Sequence, residues 1–288
     1  MTTLVWLLIV GLVLWLLVVR RAAARKLRIL RAQLAAYRRG NYLEQLKIIE
    51  GFRTKNSEPP YYWFFRGSAC YQLGRLEEAE RALRRSLAAE TKPAAQLRHP
   101  AFRLASPQTH GRGARRTLCR DQLGLVLMEQ ECWDDAADCF RQCIAEDPNR
   151  GGGHCAMAEL LLRHGEQYAV ALDEARKAVA ANRSRLLGSG EFEKEAHDGN
   201  LGESLAFLAW ALASNSADPD EVKSTLNEAF AICGEDTKPV LARVHFCAGQ
   251  ACAVLGNKAE STRHFERAAE ADPHGNYGRL SRAAAAGV

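Results

Sequence analysis

The chain has 288 residues, is 47% hydrophobic and 25% charged, and carries a formal net charge of +5. That is the composition of a folded protein with room for one long or two ordinary domains, and it excludes a disordered or low-complexity chain. Nine cysteines cannot all pair within one chain, which points to a reducing compartment rather than a disulfide framework.

The first element is apolar. Leu4 to Val19, LVWLLIVGLVLWLLVV, runs for sixteen residues without a polar side chain and would make a helix of about 24 Å. Met1 to Thr3 and the snorkelling stems of Arg20 and Arg21 extend it enough to cross a hydrocarbon core of about 30 Å. A cleaved signal peptide needs positive charge ahead of its apolar run, and the first nineteen residues carry none. Residues 1–21 are therefore expected to be a retained transmembrane anchor. Arg20, Arg21, Arg25, Lys26, Arg28 and Arg31 follow it closely, whereas the first acidic residue is Glu44. Cations stay on the cytoplasmic side, so the N-terminus is expected outside and the remainder in the cytoplasm.

Charge is unevenly spread. Residues 1–120 carry 23 Lys+Arg against 7 Asp+Glu, a balance of +16, and the remainder carries 16 against 27, a balance of −11. The basic half adjoins the anchor, where anionic head groups attract each nearby cation by about 1 kcal/mol. Lipid is thus its expected partner and nucleic acid is not, although the latter would also attract cations.

The rest of the chain repeats itself. DQLGLVLMEQECWDDAADCFRQCIAEDP, from Asp121, and HFCAGQACAVLGNKAESTRHFERAAEADP, from His245, share a register. Phe140 and Phe265 stand eight residues before Pro148 and Pro273, and Gly124 and Gly249 stand twenty-four before them. A further copy, WFFRGSACYQLGRLEEAERALRRSLAAE, places Trp63, Gly67, Gly74, Ala79 and Leu83 at matching offsets. Small residues recur at three places: Gly67, Gly124 and Gly249; then Ala79, Ala136 and Ser261; then Ser86, Cys143 and Ala268. These residues resemble the tetratricopeptide repeat, a 34-residue helix–turn–helix unit. The resemblance implies an all-α superhelix, an α-solenoid, in which small side chains let helix backbones approach and neighbouring units bury each other's apolar faces. Less regular copies extend the array from about residue 34 to 273: Leu34 to Phe52 with Gly40 at the turn; His154 to Asn182 with Ala158, Gly165, Ala171 and Ala178; and Leu205 to Cys233, which lacks a turn glycine.

This reading divides the chain into the anchor, a basic juxtamembrane helix with the first repeats (22–93), an irregular basic loop (94–116), repeats (117–183), a polar glycine-containing linker (184–203) and C-terminal repeats (204–288). The combination is similar to bacterial membrane-anchored repeat proteins, including regulators of lipopolysaccharide assembly. Those regulators add a C-terminal cysteine-rich metal domain, which the ending SRAAAAGV does not contain. The likeness therefore concerns architecture.

Chemistry is sparse. NRGGGHC, from Asn149, lacks the lysine and serine or threonine of a phosphate loop, and neither H-E-x-x-H nor G-x-S-x-G occurs. No catalytic residues, metal or cofactor are expected. Cys70, Cys143 and Cys252 fall at small-residue packing positions, where free cysteine acts as a small hydrophobe. Cys132, Cys139, Cys143 and Cys155, with His154, are the alternative: a metal- or redox-responsive set. The family resemblance implies a protein partner, a peptide or helix, on the concave face made by first helices. The matching residues are Tyr61, Phe64, Tyr71 and Gln72; Asp121, Leu125, Met128 and Glu129; Glu159, Leu162 and Arg163; and Arg243, Phe246 and Gln250. Aromatic and Met side chains among charges suit a helix or extended peptide, although several also suit packing between neighbouring helices.

Overall fold

The structure is a computed structural model that describes residues 27–51, 60–90, 112–165, 167–187, 191–233 and 237–287, with Trp15, Arg20, Arg21 and Ala24. The span expected at Leu4 to Val19 lies outside the described residues apart from Trp15, as does most of the 94–116 segment. Among the described residues no helix is long and apolar enough to cross a membrane.

Every regular element described is a helix. In chain order they are α1 (27–38), α2 (Tyr42–Glu50), α3 (Pro60–Gln72), α4 (Leu76–Glu90), α5 (Arg112–Glu129), α6 (Trp133–Glu146), α7 (Gly151–His164), α8 (Tyr168–Leu187), α9 (Glu191–Ser214), α10 (Pro219–Ile232), α11 (Lys238–Val254), α12 (Lys258–Ala271) and α13 (Asn276–Gly287). Antiparallel pairs α3/α4, α5/α6, α7/α8, α9/α10 and α11/α12 stack in order, and α13 packs on α12 and α11. Apolar side chains between successive pairs form a core in two large clusters, one over α3 to α7 and one from α7 to α13.

Each hairpin turns through one left-handed residue. Gly40, Gly74, Gly165 and Gly256 have φ between +69° and +84°, as the reversal between two antiparallel helices requires. Glu131 (φ 62°) and Ser216 (φ 57°) fill the same role in the two hairpins without a turn glycine. Gly40 to Gly74 and Glu131 to Gly165 are each 34 residues apart, one repeat. Gly74 to Glu131 is 57, one repeat plus the 23 residues of 94–116, and α4 still packs on α5 across that insertion. After the turn, Asn41 and Asn257 accept from the backbone amides of Glu44 and Glu260 at 3.1 and 3.3 Å, capping α2 and α12.

The small-residue positions are contact points. A Cβ on Gly67 would lie 2.6 Å from Leu83 Cγ, one on Gly124 2.4 Å from the Phe140 ring, and one on Gly249 2.5 Å from the Phe265 ring. In these three units helix one thus touches the large second-helix residue through backbone alone.

Two expected boundaries differ. The 94–116 loop overlaps α5, which begins at Arg112, because arginine and alanine sustain helix once the segment packs on its neighbours. The 184–203 linker is mostly helix: α8 runs to Leu187 and α9 begins at Glu191. Gly202 there is a packing glycine, whose Cβ would fall 2.6 Å from Cys233 Sγ. Cys70 and Cys143 are buried as expected, but Cys252 is only half-buried.

Replacing Gly249 with Ala should cost about 1–3 kcal/mol through the Phe265 ring, whereas Gly152→Ala, whose Cβ meets side-chain ends at ordinary contact, Arg150 at 3.5 Å and Asp121 Oδ2 at 3.6 Å, should cost far less. Denaturant unfolding of the two variants checks the contrast. Asn41→Ala should cost about 1 kcal/mol through the lost cap.

Candidate functional site

The inner face of the array is built from the last turns of α3 and α5 and the middles of α7, α9 and α11. Half of the expected partner-binding residues converge there, Tyr71, Gln72, Asp121, Glu129, Glu159, Arg163 and Arg243, each held by an ion pair or hydrogen bond to another of them or to a neighbouring helix. Arg163 donates to both carboxylate oxygens of Glu129, at 2.5 and 3.3 Å, and lies 3.6 Å from Glu159. Arg243 donates to Glu203 at 2.9 Å, with its guanidinium 4.5 Å from the centre of the Tyr277 ring. Arg150 reaches Asp121 at 3.5 Å.

The C-terminal helix completes this face. Tyr277 Oη donates to the Glu159 carboxylate, 2.8 and 2.9 Å from its two oxygens. Asn276 Nδ2 donates to Tyr71 Oη at 2.8 Å and to Glu129 at 3.0 Å, and the Asn276 backbone amide donates to Gln72 Oε1 at 3.0 Å. Arg279 donates to the carbonyls of Gln72 and Tyr71 at the end of α3. Tyr42 at the start of α2 donates to Asp272, just before α13. The first and last parts of the array therefore meet.

Burial sets the electrostatics. Glu159 is 1% exposed and Tyr71 1%. Burial pushes the carboxyls of Glu159, Asp121 and Asp272 above the usual range, and Tyr71 and Tyr277 well above theirs. The guanidiniums of Arg163 and Arg243 stay charged although burial opposes it, because Glu129 and Glu203 respectively stand beside them.

The remaining expected residues are placed differently. Leu125, Met128, Leu162 and Phe246 are buried in the apolar core, and Phe64 and Gln250 are half-buried at its edge. The side chain of Tyr61 lies outside what is described. Tight winding of the inner face explains the burial: the first helices close on each other and on α13, so positions expected to face a ligand face neighbouring helices. Glu203, Asn276, Tyr277 and Arg279 were not anticipated. Glu203 follows Gly202 as Leu125 follows Gly124 and Gln250 follows Gly249, so the small-residue register marks it once 184–203 is read as helix.

The cysteine alternative is not assembled. Cys132 is exposed and Cys139 half-buried, while Cys143 donates to the Thr117 carbonyl at 3.3 Å and Cys155 sits 3.3 Å from Ser204 Oγ. His154 is held between Glu174 (2.6 Å) and the Pro148 carbonyl (2.9 Å). Burial pushes the Cys155 thiol up to about 12, away from thiolate chemistry. No group of three or more His, Cys, Asp or Glu among the described residues is arranged to hold a metal.

These features define a helical-repeat array of the kind that scaffolds protein interactions. Residues 60–92, α3 and α4, match the tetratricopeptide repeat family, so the chain carries a tetratricopeptide repeat. No curated protein matches the sequence. Among solved structures, it is similar to a thermophilic tetratricopeptide-repeat protein of Thermus thermophilus, with 15% identity over 80% of this chain and 100% of that one, at a TM-score of 0.48. A tetratricopeptide repeat protein of Parabacteroides merdae ATCC 43184 has 12% identity, covering 90% and 96%, at 0.40. YrrB, described as having an unusual peptide-binding site, has 17% identity, covering 79% and 91%, at 0.34.

A histidine pair lies apart from the inner face. His245 Nδ1 and His264 Nδ1 are 3.0 Å apart beside the Phe230 ring. Burial, then the neighbouring His264 and Arg267, push His245 down to about 4, and burial also lowers His264. The folded state thus favours neutral imidazoles, so stability present above pH 6.5 is lost as pH falls toward 4. The thermal midpoint should drop across that window, and a His245→Gln/His264→Gln variant should flatten the drop.

Proposed function

We propose that this chain is a membrane-anchored adaptor that holds a protein partner in the cytoplasm, using the inner face and edge of its repeat array. The observation that carries the reading is the convergence of polar side chains from α3, α5, α7, α9 and α11 on one face, with half-buried Phe64 and Gln250 at its border. Such a border offers an apolar ring and an amide to a partner helix or peptide without first breaking the buried ion pairs.

Anchoring rests on the uncharged run from Leu4 to Val19 and on the cations that follow it. Arg20, Arg21, Arg28 and Arg31 are exposed, as head-group contacts require; Arg25 and Lys26 lie outside the described residues. Partner capture in this account needs no metal or cofactor.

A photo-crosslinking amino acid placed at Phe64 or Gln250 in cells should trap one dominant protein, and the same probe at Lys223, on the outward helix α10, should not. Equal labelling from all three positions would reject the inner-face border as the docking region. Removing residues 1–21 should move the chain from the membrane fraction to the soluble one.

A further inference from the structure

The inner face already has an occupant. The start of α13 is held by Tyr71 and Gln72 of α3, Glu129 of α5 and Glu159 of α7, elements remote from it in sequence. Much of this recognition reads a helix N-terminus. Gln72 takes the Asn276 backbone amide, one of the donors that a first helical turn leaves free. Arg279 in turn donates to the Gln72 carbonyl, an acceptor at the end of α3, and more distantly, at 3.4 Å, to the Tyr71 carbonyl, which also accepts from the Gly74 amide.

The same helix has a weak apolar seat. Its partly buried contacts to the core beyond Tyr277 are Leu280, Ala284 and Ala285, and a buried methyl contributes only about 0.8 kcal/mol. Ser281 is fully buried with its hydroxyl unpartnered among the described residues, which subtracts from that seat. The link to α12 is a tight turn in which Gly278 abuts the Asp272 backbone; a Cβ there would fall 1.9 Å from its carbonyl oxygen. Contacts of one helical turn, the buried Tyr277 ring and the polar groups beside it, therefore decide whether α13 stays.

We propose that the inner face is a receptor for a helix N-terminus carrying Asn-Tyr-x-Arg, and that α13 is a built-in occupant which a partner of that chemistry displaces. The inference rests on the adaptor reading and specifies its ligand. Polar complementarity supports the match: beside their pairing with Arg163, Glu129 and Glu159 accept an amide and a phenol, and the Gln72 carbonyl accepts a guanidinium.

The test uses the full chain and a fluorescent peptide of residues 272–287 as the probe. A variant with Asn276→Ala and Arg279→Ala should bind the peptide at least tenfold more tightly than the unaltered chain. Peptide carrying Tyr277→Phe and Arg279→Ala should lose that gain. A folded variant with no gain overturns the proposal. Hydrogen exchange of the unaltered chain gives a second readout that does not depend on the variant's folding: amides of 276–287 should exchange much faster than those of α11, and equally slow exchange would make α13 a permanent cap. A stable dimer that excess peptide dissolves would assign the face to a second copy and overturn a foreign partner. Peptide gain without a crosslinked protein at Phe64 or Gln250 would keep the displaced helix and reject the adaptor; a crosslinked partner without peptide gain would do the reverse.

Discussion

Charges buried on the inner face can be there only in each other's company. Glu129, Glu159 and Glu203 come from three different helices, and their hydrogen-bond partners Arg163, Tyr277 and Arg243 come from the next repeat or from α13, so apart from the 3.6 Å approach of Arg163 to Glu159 within α7 the pairing runs between repeats. An unpaired buried carboxylate costs several kcal/mol, far more than one good ion pair returns. The array therefore holds its curvature because opening it would strand these groups. This is a constraint of a different kind from the apolar stacking of successive repeats, which fixes neighbours and leaves the ends free.

The repeats themselves were legible because their physics is local. Gly124 before Phe140 and Gly249 before Phe265 stand at a fixed spacing since both pairs solve the same close approach between two helices. Turn glycines mark a backbone conformation that other residues rarely adopt, and among the described residues they occupy the turns of four of six hairpins, with Gly40, Gly74 and Gly165 legible in the repeat and Gly256 seen in the structure. The other two, at Glu131 and Ser216, were legible from the repeat register alone: the surrounding helices impose the left-handed turn on residues that do not advertise it.

Composition misled where tertiary packing decided. Residues 184–203 look like a linker because of their glycines and charges, yet Gly202 is small so that Cys233 can approach it. Reading that glycine as flexible also hid Glu203, the partner of Arg243. The inner-face residues were found in register but not in role. A sequence offers no sign of how tightly a superhelix winds, so Tyr71, Glu159 and Arg243 read as ligand contacts when they contact α13 and one another. The part played by Asn276, Tyr277 and Arg279 depends on pairing with residues some 120 to 200 positions away, which no local pattern encodes.

Closure of the array through Tyr42 and Asp272 is the claim on which the rest turns. The direct measurement is a double-mutant cycle of Tyr42→Phe and Asp272→Asn by denaturant unfolding of the full chain. A coupling of about 1 kcal/mol or more is expected for a hydrogen bond to a buried carboxyl. Additive effects, with no coupling, would mean that the two ends do not meet and that the inner face stands open.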